Sequence, residues 1–405
     1  MTTTTWRTPL VVIIAGCLIS AIGFGVRSSF GLFLEPMTVA RDWSRETFGL
    51  AMAIQNLFWG IALPMAGAFA DKIGPVKVIV AGALMYFAGV YGMSVVELPL
   101  WFHLSGGVLA GTGIAFSAFT LAMAAMVRVV GPDRRSFILG LGTAAGSFGQ
   151  VLFSPISQGF ISAYGWQLAL VLVSAATLIM IPLALLLPGD PTQSTEAASD
   201  QTLREALGEA LTHRGYLLLT TGFFVCGFHV AFISVHYPAY IRDVGLDPKI
   251  GAYSIALIGL MNIGGSILSG IVGQKWQKRW SLSFIYFART VAIACLLMAP
   301  KTPTTILLFA AVMGVLWLST VPLTTGIVAQ VFGVRYMATL FGIVFLSHQI
   351  GSFIGVWWGG RIYDQTGSYD GMWYAGIVVG LIAALIHLPI NERPLNRLNA
   401  QTGSA

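Results

Sequence analysis

The sequence is poor in charge. Only 9% of its 405 residues are Asp, Glu, Lys or Arg, against 56% hydrophobic and a mean hydropathy of +0.80. A soluble domain covers its surface with about 25% charged residues, so the composition excludes one and describes a polytopic membrane protein. Cysteine is scarce as well. Cys17, Cys226 and Cys295 each fall inside an apolar run, lack metal-ligand spacing and cannot all pair with one another, so they read as small hydrophobes without a redox role. Carboxylates are missing from the middle of every apolar run; Glu35, near the end of the first, comes nearest. There is no metal motif, no phosphate-cradling loop after a strand and no nucleophile with a base partner at helical spacing. An enzyme is therefore not expected, nor is a metal or cofactor. The net charge of +6 and pI near 9.3 do not imply nucleic acid, because the basic residues gather in short loops between apolar runs.

What the chain has in quantity is long apolar runs. A hydrocarbon core of about 30 Å takes about 20 residues of helix, and that ruler finds twelve candidates, near 9–34, 47–70, 76–96, 100–127, 136–163, 165–187, 214–240, 250–273, 280–299, 303–328, 336–363 and 371–390. The 47 glycines suit close packing and bending of helices in lipid. One polar stretch of real length, "PGDPTQSTEAASDQTLREALGEALTHRG", separates the sixth run from the seventh and holds a short amphipathic pattern, "TLREALGEALTH". The expected organisation is thus a six-helix bundle over 1–187, a cytoplasmic central loop over 188–213, and a second six-helix bundle with a short tail over 214–405. The leading "MTTTTWRTP" runs into an apolar segment too long for a signal-peptide core and has no small-residue cleavage site, so the first run is expected to stay as a span.

Basic residues set the orientation. Arg7, Lys72, Lys77, Arg128, Arg134, Arg135, Arg204, Arg214, Lys275, Lys278, Arg279, Arg335, Arg393 and Arg397 flank one side, and Arg41, Arg45, Arg242, Lys249, Lys301 and Arg361 the other. The positive-inside rule then puts both termini and the central loop in the cytoplasm. An internal repeat is visible at an offset of 200: Thr120 and Thr320, Arg135 and Arg335, Gly142 and Gly342, Ser147 and Ser347, Phe153 and Phe353, Gly159 and Gly359. Parallel halves of six spans are the layout of the major facilitator fold. The fold class expected is therefore an all-α membrane protein of twelve transmembrane helices in two six-helix halves.

Three segments carry a family resemblance. The loop "GAFADKIGPVKV", with Gly67, Asp71, Lys72, Gly74 and Lys77, resembles the hallmark loop of the major facilitator superfamily. The segment Gly111–Gly149, "GTGIAFSAFTLAMAAMVRVVGPDRRSFILGLGTAAGSFG", is similar to the fourth and fifth spans of the monocarboxylate transporter family, and Arg27, Ser28, Phe33 and Glu35 fit that family's pattern in the first span. The resemblance implies proton-coupled symport of a small organic acid by alternating access, in a bacterial-type cytoplasmic membrane, by a chain working as a monomer. One departure is plain. Many members of that family carry Asp and Arg in span 8, where this chain has only Asn262 in "LIGLMNIGGSILSG".

The polar residues within the spans are the candidate site. A charge at bilayer depth costs at least ~2.5 kcal/mol, and Arg27 has no carboxylate at its depth, so it is expected to bind an anion brought by the substrate, its planar fork suiting a carboxylate. Arg289, in "SFIYFARTVAIA", is a second intramembrane cation; span 9 is peripheral in the major facilitator fold, which leaves a structural role open and makes it a secondary candidate with Gln55 and Asn56. Ser117, Thr120, His229, Asn262, His348 and Gln349 are candidate polar contacts, and Trp317 with Phe345 a candidate apolar wall. His229 and Glu35 are the candidates for proton coupling; His236, two turns beyond His229, suits a gate. Asp71, Lys72, Arg134 and Arg135 are expected at the cytoplasmic gate. Proton symport, anion exchange, a multidrug exporter and a non-transporting receptor remain distinct readings, the exporter lacking a buried carboxylate to attract a cation and the receptor lacking a soluble output domain.

Overall fold

A computed structural model describes residues 8–130, 135–189, 201–333 and 335–396, and among these it is all helix and turn, with no strand. Ten helical segments cross once each: Pro9–Arg41 (span 1), Arg45–Ile73 (span 2), Pro75–Val95 (span 3), Pro99–Val127 (span 4), Arg214–Asp243 (span 7), Pro248–Lys275 (span 8), Lys278–Met298 (span 9), Pro303–Phe332 (span 10), Met337–Thr366 (span 11) and Asp370–His387 (span 12). Another apolar run, Gly140–Leu185, is continuous over 46 residues, about 69 Å of helix and more than twice the hydrocarbon core. Gly165 divides it: its φ of 80° and ψ of 164° break the helix, a backbone conformation that only glycine takes without strain. Span 5 therefore runs to 164 and span 6 from 166, which makes twelve.

Local chemistry sets where these helices begin. Pro9, Pro75, Pro99, Pro248 and Pro303 occupy the first turn of spans 1, 3, 4, 8 and 10, where the missing N–H costs nothing. Thr8, Ser44, Asp247 and Thr302 accept first-turn N–H groups at the starts of spans 1, 2, 8 and 10. In the central segment a short helix, Leu203–Thr212, opens with a full capping box between Thr202 and Glu205.

Two spans are interrupted, and at equivalent places. Span 4 loses helical geometry at Ser117 (ψ 15°) and Ala118 (ψ 142°); span 10 stops at Leu316 and resumes at Thr320. The two interruptions lie 200 residues apart, the offset of the sequence repeat. Each half buries its own apolar core, one built around residues such as Ile19, Tyr86 and Met180 and the other around Phe223, Tyr286 and Trp373.

The halves meet through spans 1 and 7, 2 and 11, and 5 and 8, while spans 4 and 10 pack within their own halves. Glycines let the backbones touch. A side chain at Gly31 would strike the Ser234 carbonyl of span 7, one at Gly49 the Val356 carbonyl of span 11, and one at Gly360 the Arg45 carbonyl of span 2. These contacts lie toward the end of the molecule opposite the chain termini. Nearer the termini, Gly67 of span 2 and Gly342 of span 11 have nothing within 4 Å of where a side chain would begin.

Candidate substrate site

Arg27 stands in the last helical turn before span 1 tightens at Phe30–Phe33. Its Nη2 donates to Asn56 Oδ1 of span 2 at 2.6 Å, and its guanidinium carbon lies 4.6 Å from the centre of the Trp59 ring. Asn56 is itself fixed, donating through Nδ2 to the Met52 carbonyl at 2.8 Å. None of the ion pairs among the described residues involves Arg27. The guanidinium therefore has one amide partner and one aromatic face but no counter-charge, an arrangement suited to a visiting anion.

The surroundings come from the interruption in span 4. Ser117 and Ala118 line a cavity of about 20 Å³ with Arg27, Trp59, Phe24, Ile114 and Phe119. That is room for about one water, so a larger ligand would enter only if the surrounding helices moved. Ser117 turns its hydroxyl onto the Gly113 carbonyl at 2.7 Å. Thr120 follows on the same span, half-buried.

A line of rings joins this site to the other half. Trp59 packs edge-on against Phe24 (6.2 Å) and against Phe345 of span 11 (5.4 Å), and Phe345 stacks on His348 at 5.7 Å. His348 Nδ1 is 3.1 Å from Gln349 Oε1, so in this assignment the ring donates there; Gln349 Nε2 is buried without a partner. Arg27, Phe345, His348 and Gln349 are thus brought together, linked through Trp59, a residue that no sequence signal singles out.

Other candidates fall elsewhere. Gln55 points into its own half, donating to the Gly106 carbonyl of span 4 at 2.8 Å. Asn262 is committed: it donates to Ser147 Oγ of span 5 at 2.9 Å and accepts from the Leu318 N–H at 3.0 Å and the Ser266 hydroxyl at 3.1 Å. It ties the two halves together and holds the interruption of span 10. His229 faces spans 9 and 12, with Nε2 2.8 Å from the Gly376 carbonyl, and is not next to Arg27. His236 lies at the sealed end, between the Tyr369 hydroxyl (3.0 Å) and the Val356 carbonyl (2.8 Å). Glu35 pairs with Arg242 of span 7. Asp71 and Lys72 are exposed at the end of span 2; Arg134 lies outside the described residues, as does the side chain of Arg135.

Arg289 is the largest departure from a peripheral residue. It is fully buried, and its Nη2 reaches the carbonyls of Leu316 (2.6 Å) and Trp317, which the interruption of span 10 leaves free. Trp317 thus contributes its backbone carbonyl to Arg289. Each half holds a guanidinium at its interrupted span: Arg27, reaching from span 1, and Arg289, reaching from span 9.

Twelve membrane helices in two repeated halves, with polar side chains gathered where the halves meet, are the layout of a membrane solute transporter. The chain belongs to the Major Facilitator Superfamily, whose family model matches residues 14–356. Among curated proteins it is 25% identical to monocarboxylate transporter 13 of Rattus norvegicus over 365 residues, 88% of this chain and 82% of that one. It is 23% identical to the oxalate:formate antiporter of Oxalobacter formigenes, over 86% of this chain and 83% of that one. Among solved structures, a bacterial homologue of the human lysosomal transporter Spinster, in an inward-facing and unoccupied conformation, matches with a TM-score of 0.72 at 15% identity, covering 96% of both chains.

Proposed function

We propose that this transporter carries small organic anions, foremost monocarboxylates, with Arg27 as the residue that binds the carboxylate. The observation carrying the reading is the Arg27 guanidinium, held by Asn56 and Trp59 without a counter-charge at the seam between the halves. A bidentate carboxylate takes up two of its four remaining donors and balances its charge. Ser117, Thr120, Phe345, His348, Gln349 and the ring of Trp317 are the neighbours a short hydrocarbon or hydroxyl-bearing body would meet. The names of the similar proteins, a monocarboxylate transporter and an oxalate:formate antiporter, support the substrate class.

The positive-inside rule supports a cytoplasmic-membrane protein with both termini inside, which makes the sealed end the outer one and this conformation inward-facing. Alternating access then runs by rocking of the halves, with one chain as the working unit. Proton symport is the first mode; exchange of one anion for another is the second, favoured by the antiporter among the relatives. The test is uptake of radiolabelled short monocarboxylates into proteoliposomes, with a pH gradient and with trapped unlabelled acid. Wild-type uptake that Arg27→Ala abolishes, and that Arg27→Lys restores in part, supports the reading. Uptake by Arg27→Ala at the wild-type rate overturns it.

A further inference from the structure

Spans 9, 10 and 12 enclose a second cavity at the end of the molecule that bears the termini. Its volume is about 540 Å³, within the range of small-ligand sites, about 300–1,000 Å³. Gln277 and Arg279 line it from the start of span 9, Gln330 from the last turn of span 10, and Asn391, Glu392 and Arg393 from the chain that follows span 12. That chain is strapped down to form one wall. Glu392 Oε1 accepts the Arg279 N–H at 2.7 Å, Gln330 Nε2 donates to the Glu392 carbonyl at 2.9 Å, and the Leu395 N–H donates to the Val331 carbonyl at 3.1 Å. Arg279 directs Nη1 to the Leu388 and Ile390 carbonyls, both at 3.2 Å, and Nε to Gln277 Oε1 at 2.9 Å.

The groups left over in this cavity are mostly donors. Among the described residues, no hydrogen bond or ion pair takes up Nη2 of Arg279 or the guanidinium of Arg393. The Gln277 oxygen is occupied by Arg279, and Asn391 Oδ1 by the Arg393 N–H at 3.1 Å, which leaves the NH2 group of each amide. Two guanidiniums against the one carboxylate of Glu392 give the lining a net positive charge, so the matching ligand is an anion with several acceptor oxygens. Span 9 narrows the kind of anion. Trp280, Phe284, Phe287 and Val291 recur at intervals of four, three and four residues and are between 44% and 66% exposed, a lipid-facing stripe on one side of the helix. Trp280 heads that stripe beside the cavity, its ring centre 5.6 Å from the Arg279 guanidinium carbon, and an exposed tryptophan at a span end belongs to the membrane interface. A free phosphate has no use for the stripe. A phospholipid covers it with its chains while its phosphate enters the cavity.

We propose that this cavity is a binding site for an anionic phospholipid of the phosphatidylglycerol type. The phosphodiester takes Arg279 Nη2 and the Arg393 guanidinium, the headgroup hydroxyls take Glu392 and the amides of Gln277 and Asn391, and the acyl chains lie along Trp280, Phe284 and Phe287. The single negative charge of the phosphodiester balances the excess positive charge of the lining. An ethanolamine or choline headgroup carries its own cation and leaves that excess unbalanced, which is what sets the preference. A lipid held in this way ties the start of span 9 to the chain after span 12. The site lies apart from Arg27 and does not depend on which solute is carried.

The test follows the unfolding temperature of the full-length protein in neutral detergent against dioctanoyl phosphatidylglycerol, phosphatidylethanolamine and phosphatidylcholine, and against inorganic phosphate. The expected result is a saturable rise at the lowest concentration with phosphatidylglycerol, and none with inorganic phosphate. A cation beside an anionic headgroup is worth about fivefold in affinity, so Arg393→Gln should weaken phosphatidylglycerol binding about fivefold. Among the described residues the Arg393 guanidinium holds nothing else, so this variant tests the site without loosening the fold. Arg279→Gln also frees the Leu388 and Ile390 carbonyls and should lower the unfolding temperature even without lipid. Lys249→Gln, a charge removed from the opposite end of span 8, should keep the wild-type affinity. The proposal is overturned by no rise with phosphatidylglycerol, by an equal rise with inorganic phosphate, by phosphatidylethanolamine binding as tightly, or by an unchanged affinity in Arg393→Gln.

Discussion

Arg45 at the start of span 2 grips Asp243 at the end of span 7 with both terminal nitrogens, each 2.6 Å from one carboxylate oxygen. Tyr363 covers the guanidinium at 3.6 Å, and the Tyr369 hydroxyl takes a further donor at 3.0 Å. The backbone N–H groups of Arg45 and Glu46 donate to Asp364 of span 11 at 3.0 and 2.7 Å, so the positive end of one half's helix is capped by a carboxylate of the other. Glu35 with Arg242, and Glu46 with Arg361 at 3.5 Å, complete a seal in which every ion pair among the described residues crosses between the halves. A sealed end built of ion pairs can be opened by water, which an apolar one would resist.

Asp243→Asn keeps the size of the side chain and removes its charge from a nearly buried Arg45. A charge-assisted hydrogen bond contributes about 1.5–3 kcal/mol, so the sealed conformation should lose about ten- to a hundred-fold in population relative to the open one. Labelling of a cysteine placed at Thr38, buried at the sealed end, by a membrane-impermeant maleimide should speed up accordingly. Equal labelling rates in Asp243→Asn and its parent would show that the pair does not hold the seal.

Gly31 tests the same seal by shape. A methyl group at this position would strike the Ser234 carbonyl and crowd Val235, and neither backbone can move without displacing span 7. Gly31→Ala should therefore block closure at this end and arrest transport, with the Thr38 cysteine labelled as fast as in any open state. Gly67→Ala, which meets open space, is the control expected to close normally. Distances between spin labels on spans 1 and 7 would report both.

Asn262 separates stabilisation from binding. Asn262→Ala strands the Leu318 N–H and the Ser147 hydroxyl, at about 1–3 kcal/mol for each buried group left unpaired, and should lower the unfolding temperature in detergent. Asn262→Asp keeps the acceptor for Leu318 and Ser266 but loses the donor to Ser147, so it should recover part of the loss. If Asn262→Ala changed substrate affinity at unchanged stability, the residue would belong to the binding site after all.

The spans, the repeat and the lone charge of Arg27 were legible in the sequence because apolar length and an isolated cation at depth are strong, local signals. The interruptions of spans 4 and 10 were not: "FSAF" and "WLST" contain neither proline nor glycine, and the free carbonyls at Leu316 and Trp317 find their donor on another span. Arg289 could not be placed for that reason. Arg45, Asp243, Arg242 and Asp364 looked like ordinary flanking charges, since pairing across the halves depends on the closed arrangement of spans 2, 7 and 11.

Trp59 should govern affinity and selectivity together. It faces Arg27 at 4.6 Å and meets Phe345 of the other half at 5.4 Å, so it both restrains the guanidinium and closes the site from one side. A cation–aromatic contact is worth about 0.5–2 kcal/mol, and its loss in Trp59→Ala should raise the KM for a monocarboxylate about two- to thirty-fold, with a smaller change in maximal rate. Trp59→Phe keeps an aromatic face and should recover most of the affinity. With one guanidinium and an apolar ring on its exposed side, a second carboxylate would have to lie against Trp59 and Phe345, so a dicarboxylate should bind more weakly than the matched monocarboxylate. That preference should narrow in Trp59→Ala, where water enters the space the ring filled. Competition of each acid against labelled monocarboxylate uptake measures the ratio directly. A dicarboxylate that competes better than its monocarboxylate in the wild type would mean that Arg289 also reaches the substrate, and that the two interrupted spans share one ligand.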